Sequence, residues 1–234
     1  MDFMYAFFTF LQPGILWPEF TAYRPILVLS MVAVAVGLVR RSRYLRTVAF
    51  AQPTFHYLML FIAAQVLSVY YSGASSMLEE LGFWYVYPLF VAISILLINS
   101  APALKRYVWG MITGSMVVVL YGIYAVYAKL PSALGGRAGA YGMYENHNDY
   151  TFIIIMVLPF LYQYWRVETG KLGRILLALP ILACVVGVFL SLSRGGMLAL
   201  VLEMGLIVLL AVDRKWRIPL LLLLALFSSA AIGY

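Results

Sequence analysis

Apolar runs of membrane-crossing length follow one another along nearly the whole chain. They are Pro25 to Val39, Phe55 to Tyr71, Phe83 to Asn99, Val108 to Ala128, Tyr150 to Trp165, Ile175 to Leu192, Met197 to Val212 and Ile218 to Tyr234. A hydrocarbon core takes about 20 apolar residues per helical crossing. Charged residues make up 11% of the 234, against roughly 25% in a soluble domain, so too little polar surface exists to wrap a soluble fold of this size. The expectation is an all-α, polytopic membrane bundle of about eight or nine transmembrane helices. It forms one domain over residues 1–234, with no room for a sizeable soluble catalytic domain. Met1 to Trp17 is the weakest run, broken by Gln12, Pro13 and Gly14; it reads as a short crossing in preference to an interfacial half-helix. Asp2 stands where a signal peptide would carry positive charge, so the N-terminus is expected to remain, on the cytoplasmic side. Cys184 is the one cysteine and lies inside an apolar run, which makes it a small core residue and excludes an intramolecular disulfide.

Charge orients the runs. Arg40, Arg41, Arg43 and Arg46 follow the run that ends at Val39, and such a cluster marks a cytoplasmic loop. Threading outward and inward from that anchor places Lys105, Arg106, Arg166, Lys171, Arg174, Arg214, Lys215 and Arg217 on the same side, so that 12 of the 16 basic residues are cytoplasmic. The net charge of +7 is thereby a topology signal, and no nucleic-acid partner is expected. Arg24, Lys129, Arg137 and Arg194 remain on the outer face. Tyr and Trp gather near run ends, including Trp84, Tyr85, Tyr87, Tyr162, Tyr164 and Trp165, as in an interfacial aromatic belt. Gly110 and Gly114 form a small-xxx-small pair that admits a neighbouring backbone.

Function in such a bundle must come from the polar exceptions. The longest outward loop, Lys129 to Asp149, holds Gly135, Gly136, Gly139 and Gly142 around Arg137. Glycines allow unusual backbone angles and close approach, as a loop folding back over a ligand requires; without a Lys-Ser/Thr ending it is no Walker-type phosphate loop. The loop closes on Asn146-His147-Asn148-Asp149, where Asn148 or Asp149 is a suitable N-cap for the next helix. His147, flanked by Glu145 and Asp149, is open to the roles of base, metal ligand or hydrogen-bonding spacer, and no second His stands at metal-ligand spacing. The second exception is Ser191-Leu-Ser-Arg194-Gly195-Gly196 at the outer end of a run, where the glycines are expected to make the reversal. Arg194 there either snorkels or meets an anion. Arg24, Arg137 and Arg194 share the face on which positive charge is scarce, and the planar guanidinium binds phosphate in bidentate fashion. A phosphorylated lipid or pyrophosphate headgroup is the natural partner. Glu203, midway along its apolar run, must be protonated, paired or facing a polar cavity; His56 reads as interfacial. No dinucleotide, metalloprotease or nucleophile-elbow motif occurs, and no metal or cofactor is expected.

Gly-Gly-Arg137-Ala-Gly, then Asn146-His-Asn148-Asp149, then Ser191-Leu-Ser193-Arg194-Gly195-Gly196 resembles the O-antigen ligase and polymerase family of bacterial inner-membrane glycosyltransferases. The opening Leu11-Gln-Pro13-Gly-Ile-Leu-Trp-Pro18 and Tyr23-Arg24-Pro25 is similar to the start of many members. The family's usual second motif has proline between the asparagines, where this chain has His147. The resemblance covers nearly all of the chain but only part of the family, whose members continue into a large periplasmic loop that supplies a catalytic histidine. The chain is thus expected to be the N-terminal portion of a ligase-like protein.

What the resemblance implies is metal-independent transfer of a glycan from undecaprenyl pyrophosphate to an acceptor hydroxyl on the periplasmic side. Lipopolysaccharide and exopolysaccharide synthesis are the processes it points to. Arg137 and Arg194, with Arg24, would bind the pyrophosphate; His147, Asn148 and Asp149 would contribute loop or acceptor contacts, and the base stays unassigned. The other reading is a truncated, non-catalytic relative that serves other membrane subunits as a structural or accessory partner; a transporter of lipid-linked sugars or ions, resting on Glu203, is a third.

Overall fold

The computed structural model describes residues 1–13, 25–44, 53–72, 90, 93–95, 97–98, 100–140, 144–211, 215 and 217–220. These residues form α-helices and no strand: α1 (Asp2–Leu11), α2 (Pro25–Tyr44), α3 (Pro53–Ser72), α4 (Ala101–Tyr127), α5 (His147–Val167), α6 (Lys171–Ser191) and α7 (Arg194–Ala211), with a short 3-10 turn at Leu134–Gly136. Arg24, Arg46, Arg214, Gly142, Trp84, Tyr85 and Tyr87 lie outside the described residues, as do most of the runs expected at 83–99 and 218–234.

Among the described residues three helices are long and apolar enough to cross a membrane: α4 with 27 residues, α5 with 21 and α6 with 21. At 1.5 Å per residue each reaches about 30 Å or more, the thickness of a hydrocarbon core. On α6 and α7 much of the exposed surface is apolar. Leu172, Ile175, Leu176, Leu179 and Leu182 on α6 and Leu198, Leu202, Leu206 and Leu210 on α7 are exposed, a density of leucine that suits lipid and not water. The described residues are helical, with three helices of the kind a membrane protein has. By contrast α1 stops at Leu11, where Gln12 takes a positive φ of 48° ahead of Pro13. Its ten residues reach about 15 Å, half a hydrocarbon core; the residues that would complete a crossing from Gly14 lie outside the described ones.

Contacts group the chain into two units. The first comprises Met1–Ala6 and Tyr23–Gly110. Here Gly110 of α4 lies against the backbone of Phe3, so close that a Cβ would collide with the Phe3 carbonyl. The Arg106 guanidinium holds Asp2 through Nη2 at 2.7 Å and Nε at 3.1 Å. Tyr107 bonds Ser94 at 2.8 Å, and the Ser94 hydroxyl donates to the Phe90 carbonyl. Burial alone would raise the Asp2 carboxyl, but its backbone hydrogen bond and Arg106 outweigh that and hold it below the ordinary carboxylate range.

The second unit comprises Phe7–Ala22 and Met111–Tyr234. In it α5 packs on α6 and α7, and α6 meets α7. Gly114 of α4 lies against the Phe7 carbonyl as closely as Gly110 does against Phe3; both glycines of the small-xxx-small pair admit the α1 backbone, as their spacing predicts. Tyr150 on α5 is fully buried. Its ring occupies the space that a side chain at Gly122 would fill, its oxygen lies 3.1 Å from where a Cβ at Gly187 would be, and its hydroxyl donates to the Val119 carbonyl at 2.9 Å. Ile153, Ile154, Val157, Leu158, Leu161 and Val188 complete this core. Cys184 is buried in it, its thiol donating to the Met116 sulfur at 3.7 Å.

Gly114→Val should force α1 off α4 and lower stability by about 1–3 kcal/mol or more, the range of overpacked helix contacts, which thermal unfolding in detergent would read. For Asp2 the sign follows from the lowered carboxyl: the stabilisation is present above the ordinary value of 3.8 and is lost as pH falls through the lower folded value. Asp2→Asn should remove that acid-side dependence, and because the pair is partly exposed the change at neutral pH should stay below about 1 kcal/mol.

Candidate functional site

The site is built where α6 ends and its last carbonyls need partners. A helix leaves its final four C=O groups without intrahelical donors, and in lipid none can be left open. Here each has one. The Ser191 hydroxyl returns to the Val188 carbonyl at 2.6 Å, and the Leu192 amide bonds the Phe189 carbonyl at 3.2 Å. The remaining donors come from the loop after α4: the Ala138 amide reaches the Leu190 carbonyl at 2.8 Å, and Arg137 Nε reaches the Ser191 carbonyl at 2.8 Å. Arg137 Nη2 also bonds the Leu192 carbonyl, at 3.0 Å. A fixed positive charge at a helix C-terminus is favourable.

The loop reaches that position through its glycines. Gly135 and Gly136 take φ of 64° and 75° with open space where a side chain would stand, the left-handed conformation that only glycine adopts cheaply. After them the chain runs past α6, and the His147 ring closes it: Nδ1 lies 3.0 Å from the Ala138 carbonyl. Gly139 packs on that ring, its Cβ position 3.3 Å from Nδ1. Tyr144 anchors the far end by donating to the Phe10 carbonyl at 3.1 Å. Burial, with the charge of Asp149 second, pushes the Tyr144 phenol above its ordinary value, so it stays a donor.

Two local expectations need correction. The N-cap of α5 is Asn146, whose side chain accepts from the Asn148 amide at 2.9 Å, and neither Asn148 nor Asp149 caps. Asn148 is thereby the second residue of the helix, and its Oδ1 accepts from the Ser193 hydroxyl at 2.6 Å. Nor do Gly195 and Gly196 make the reversal between α6 and α7. Leu192 turns the chain with a φ of 51°, and both glycines are already helical. Gly196 is needed for close approach: a Cβ there would lie 2.6 Å from Thr151 of α5.

Ser193 caps α7, its oxygen accepting from the Gly196 amide at 3.0 Å. Arg194 is the first helical residue, and its side chain is exposed. Among the described residues the Arg194 guanidinium and the amides of Arg194 and Gly195 have no hydrogen-bond partner. A cation at the N-terminal, positive end of a helix is electrostatically unfavourable, so these donors and the guanidinium together suit an anion, phosphate above all. Arg137 spends two of its five N–H donors on the α6 carbonyls, which leaves its Nη1 side.

The tertiary structure therefore gathers Arg137, His147, Asn148 and the Arg194 turn into one hydrogen-bonded corner. Asp149 is exposed beside it, in the first turn of α5; Arg24 lies outside the described residues. Glu203 is elsewhere, on α7, with both carboxyl oxygens buried and unpartnered among the described residues. Ser191 and Ser193, buried at the hub, are not among the residues expected to form the site, although their spacing around Leu192 marks a capping turn. Among the described residues no group of three or more His, Cys, Asp or Glu side chains is placed to hold a metal.

The chain matches no family model, no curated protein and no solved structure. Removing Ser193 should expose its dual role: Ser193→Ala costs about 1–2 kcal/mol as a lost cap. A double-mutant cycle with Asn148→Ala should return a coupling of about 1 kcal/mol, measured by thermal unfolding in detergent.

Proposed function

We propose that this chain is part of a lipid-linked glycan transferase of the O-antigen ligase and polymerase type, in which the corner formed by the Arg137 loop and the Arg194 turn receives the pyrophosphate of an undecaprenyl carrier. The reading also takes the bundle to have about eight or nine crossings, in a bacterial inner membrane, with the N-terminus cytoplasmic and the corner periplasmic. The observation that carries it is the docking of Arg137 on the turn that carries Arg194. Two arginines far apart in sequence meet at one helix end, and the second leaves its guanidinium and two helix-terminal amides unpartnered among the described residues.

The chemistry that follows is electrostatic. In glycosyl transfer the bond from the anomeric carbon to a phosphate oxygen breaks, and negative charge builds on the departing pyrophosphate. Donors aimed at that charge in a site of low dielectric lower the barrier. Arg194 is the better placed to touch it; Arg137 holds the loop and offers its remaining edge.

Because the exposed Arg194 side chain makes no hydrogen bond or ion pair among the described residues and is a cation at a helix N-terminus, Arg194→Ala should leave membrane level intact and the melting midpoint no lower. It should cut glycan transfer about 100-fold or more, as the loss of a charged transition-state donor does. Transfer from a radiolabelled lipid-linked donor in membranes measures this, and normal transfer by Arg194→Ala would sink the reading. Arg137→Ala should lose transfer and stability together.

A further inference from the structure

We propose that Gly195 is the substrate-access residue of this corner: its missing side chain opens the Arg194 turn to the pyrophosphate of the lipid-linked donor. The assignment rests on the transferase reading above. It begins with a glycine that the fold does not call for. Gly135 and Gly136 have a positive φ. At Gly110, Gly114, Gly122, Gly187 and Gly196 a Cβ would lie 3.0 Å or less from an atom of a neighbouring helix. Gly195 has neither reason. It is the second residue of α7, its φ is not positive, and the atoms nearest to a Cβ built there are Asn148 Oδ1 and Ser193 Oγ, both 4.0 Å away.

Alanine would therefore fit at this position in ordinary contact. Alanine is also the best helix former and glycine one of the poorest, because glycine gives up the most backbone freedom. On folding grounds alone the residue is a cost. Its neighbour shows the contrast: Gly196 is helical too, but a Cβ there would lie 2.6 Å from Thr151, so packing accounts for that glycine and not for Gly195.

The space left open belongs to the site. It is bordered by Asn148 Oδ1 and the Ser193 hydroxyl, which are bonded to each other at 2.6 Å. The amides of Arg194 and Gly195 and the exposed Arg194 guanidinium have no partner among the described residues. In a helix the Cα–Cβ bond tilts toward the N-terminus, so a methyl at position 195 would lean over the first turn, where those amides open. A phosphate oxygen has to come within about 2.9 Å of an amide nitrogen to bond it, and close approach of a ligand to backbone is one of the uses of glycine. The ligand class is a lipid-linked diphosphate, its charge met by the Arg194 guanidinium and its oxygens by the bare backbone beside it.

The discriminating variant is Gly195→Ala, which adds one methyl and removes no donor. Initial transfer rates in membranes, at varied concentrations of a lipid-linked donor and of an acceptor glycan, would be measured for the unaltered protein, Gly195→Ala and Arg194→Ala, with melting midpoints in detergent. The expected result for Gly195→Ala is a melting midpoint at or above that of the unaltered protein, a donor KM raised about tenfold or more and an unchanged acceptor KM. A structural glycine would give the opposite pattern, so a lower midpoint for Gly195→Ala overturns the assignment. An unchanged donor KM in Gly195→Ala, with Arg194→Ala inactive, also overturns it and leaves the transferase reading standing. If the unaltered protein transfers no glycan, both fall together.

Discussion

The second unit depends on how the C-terminal end of α6 is satisfied. That helix delivers carbonyl groups to a place where water cannot be assumed, and each unpaired buried carbonyl would cost on the order of 1–3 kcal/mol. Two of its last four are answered within the turn, by Ser191 and Leu192, and two by the loop after α4, through the Ala138 amide and Arg137. The loop cannot leave without opening those carbonyls. What holds the polypeptide in place and what assembles the candidate site are therefore the same set of hydrogen bonds.

This coupling explains why the polar residues fall where they do. Arg137 fixes the loop, the loop presents the Ala138 carbonyl, and that carbonyl orients His147. One residue on, Asn148 takes the Ser193 hydroxyl and joins the start of α5 to the cap of α7. Gly196 lets those two helices come close enough for that bond, because any side chain there would meet Thr151. Arg194 stands apart from the network that surrounds it. An exposed cation at the positive end of a helix is a cost to the free protein, and an anion would remove it.

Elsewhere in the molecule the same economy of contact appears in apolar form. Gly110 and Gly114 bring the α1 backbone against α4, in the first and second units respectively, and Gly122 with Gly187 makes room for the Tyr150 ring. Between helices in lipid there is little hydrophobic force to gain, so close packing and buried hydrogen bonds such as Tyr150 to Val119 supply the attraction. Glu203 is the exception, a carboxyl buried without a partner among the described residues.

Much of the helical architecture was legible in the residues alone. Runs of apolar side chains have no stable alternative to long helices in lipid; α5 and α6 match two of those runs to within four residues at each end, and α4 begins seven residues before its run. The close approach at Gly110 and Gly114 was legible too, since two small residues one turn apart leave a groove whatever fills it. The arginines expected on the outer face could be singled out by charge, but their different duties could not. That Arg137 caps a helix, that Asn146 and not Asn148 caps α5, and that Leu192 makes the turn credited to the glycines all depend on which carbonyls and amides the chain brings together. Sequence determines where backbone groups must be satisfied; only the tertiary structure decides by whom, because two of the donors that answer α6 lie more than fifty residues away.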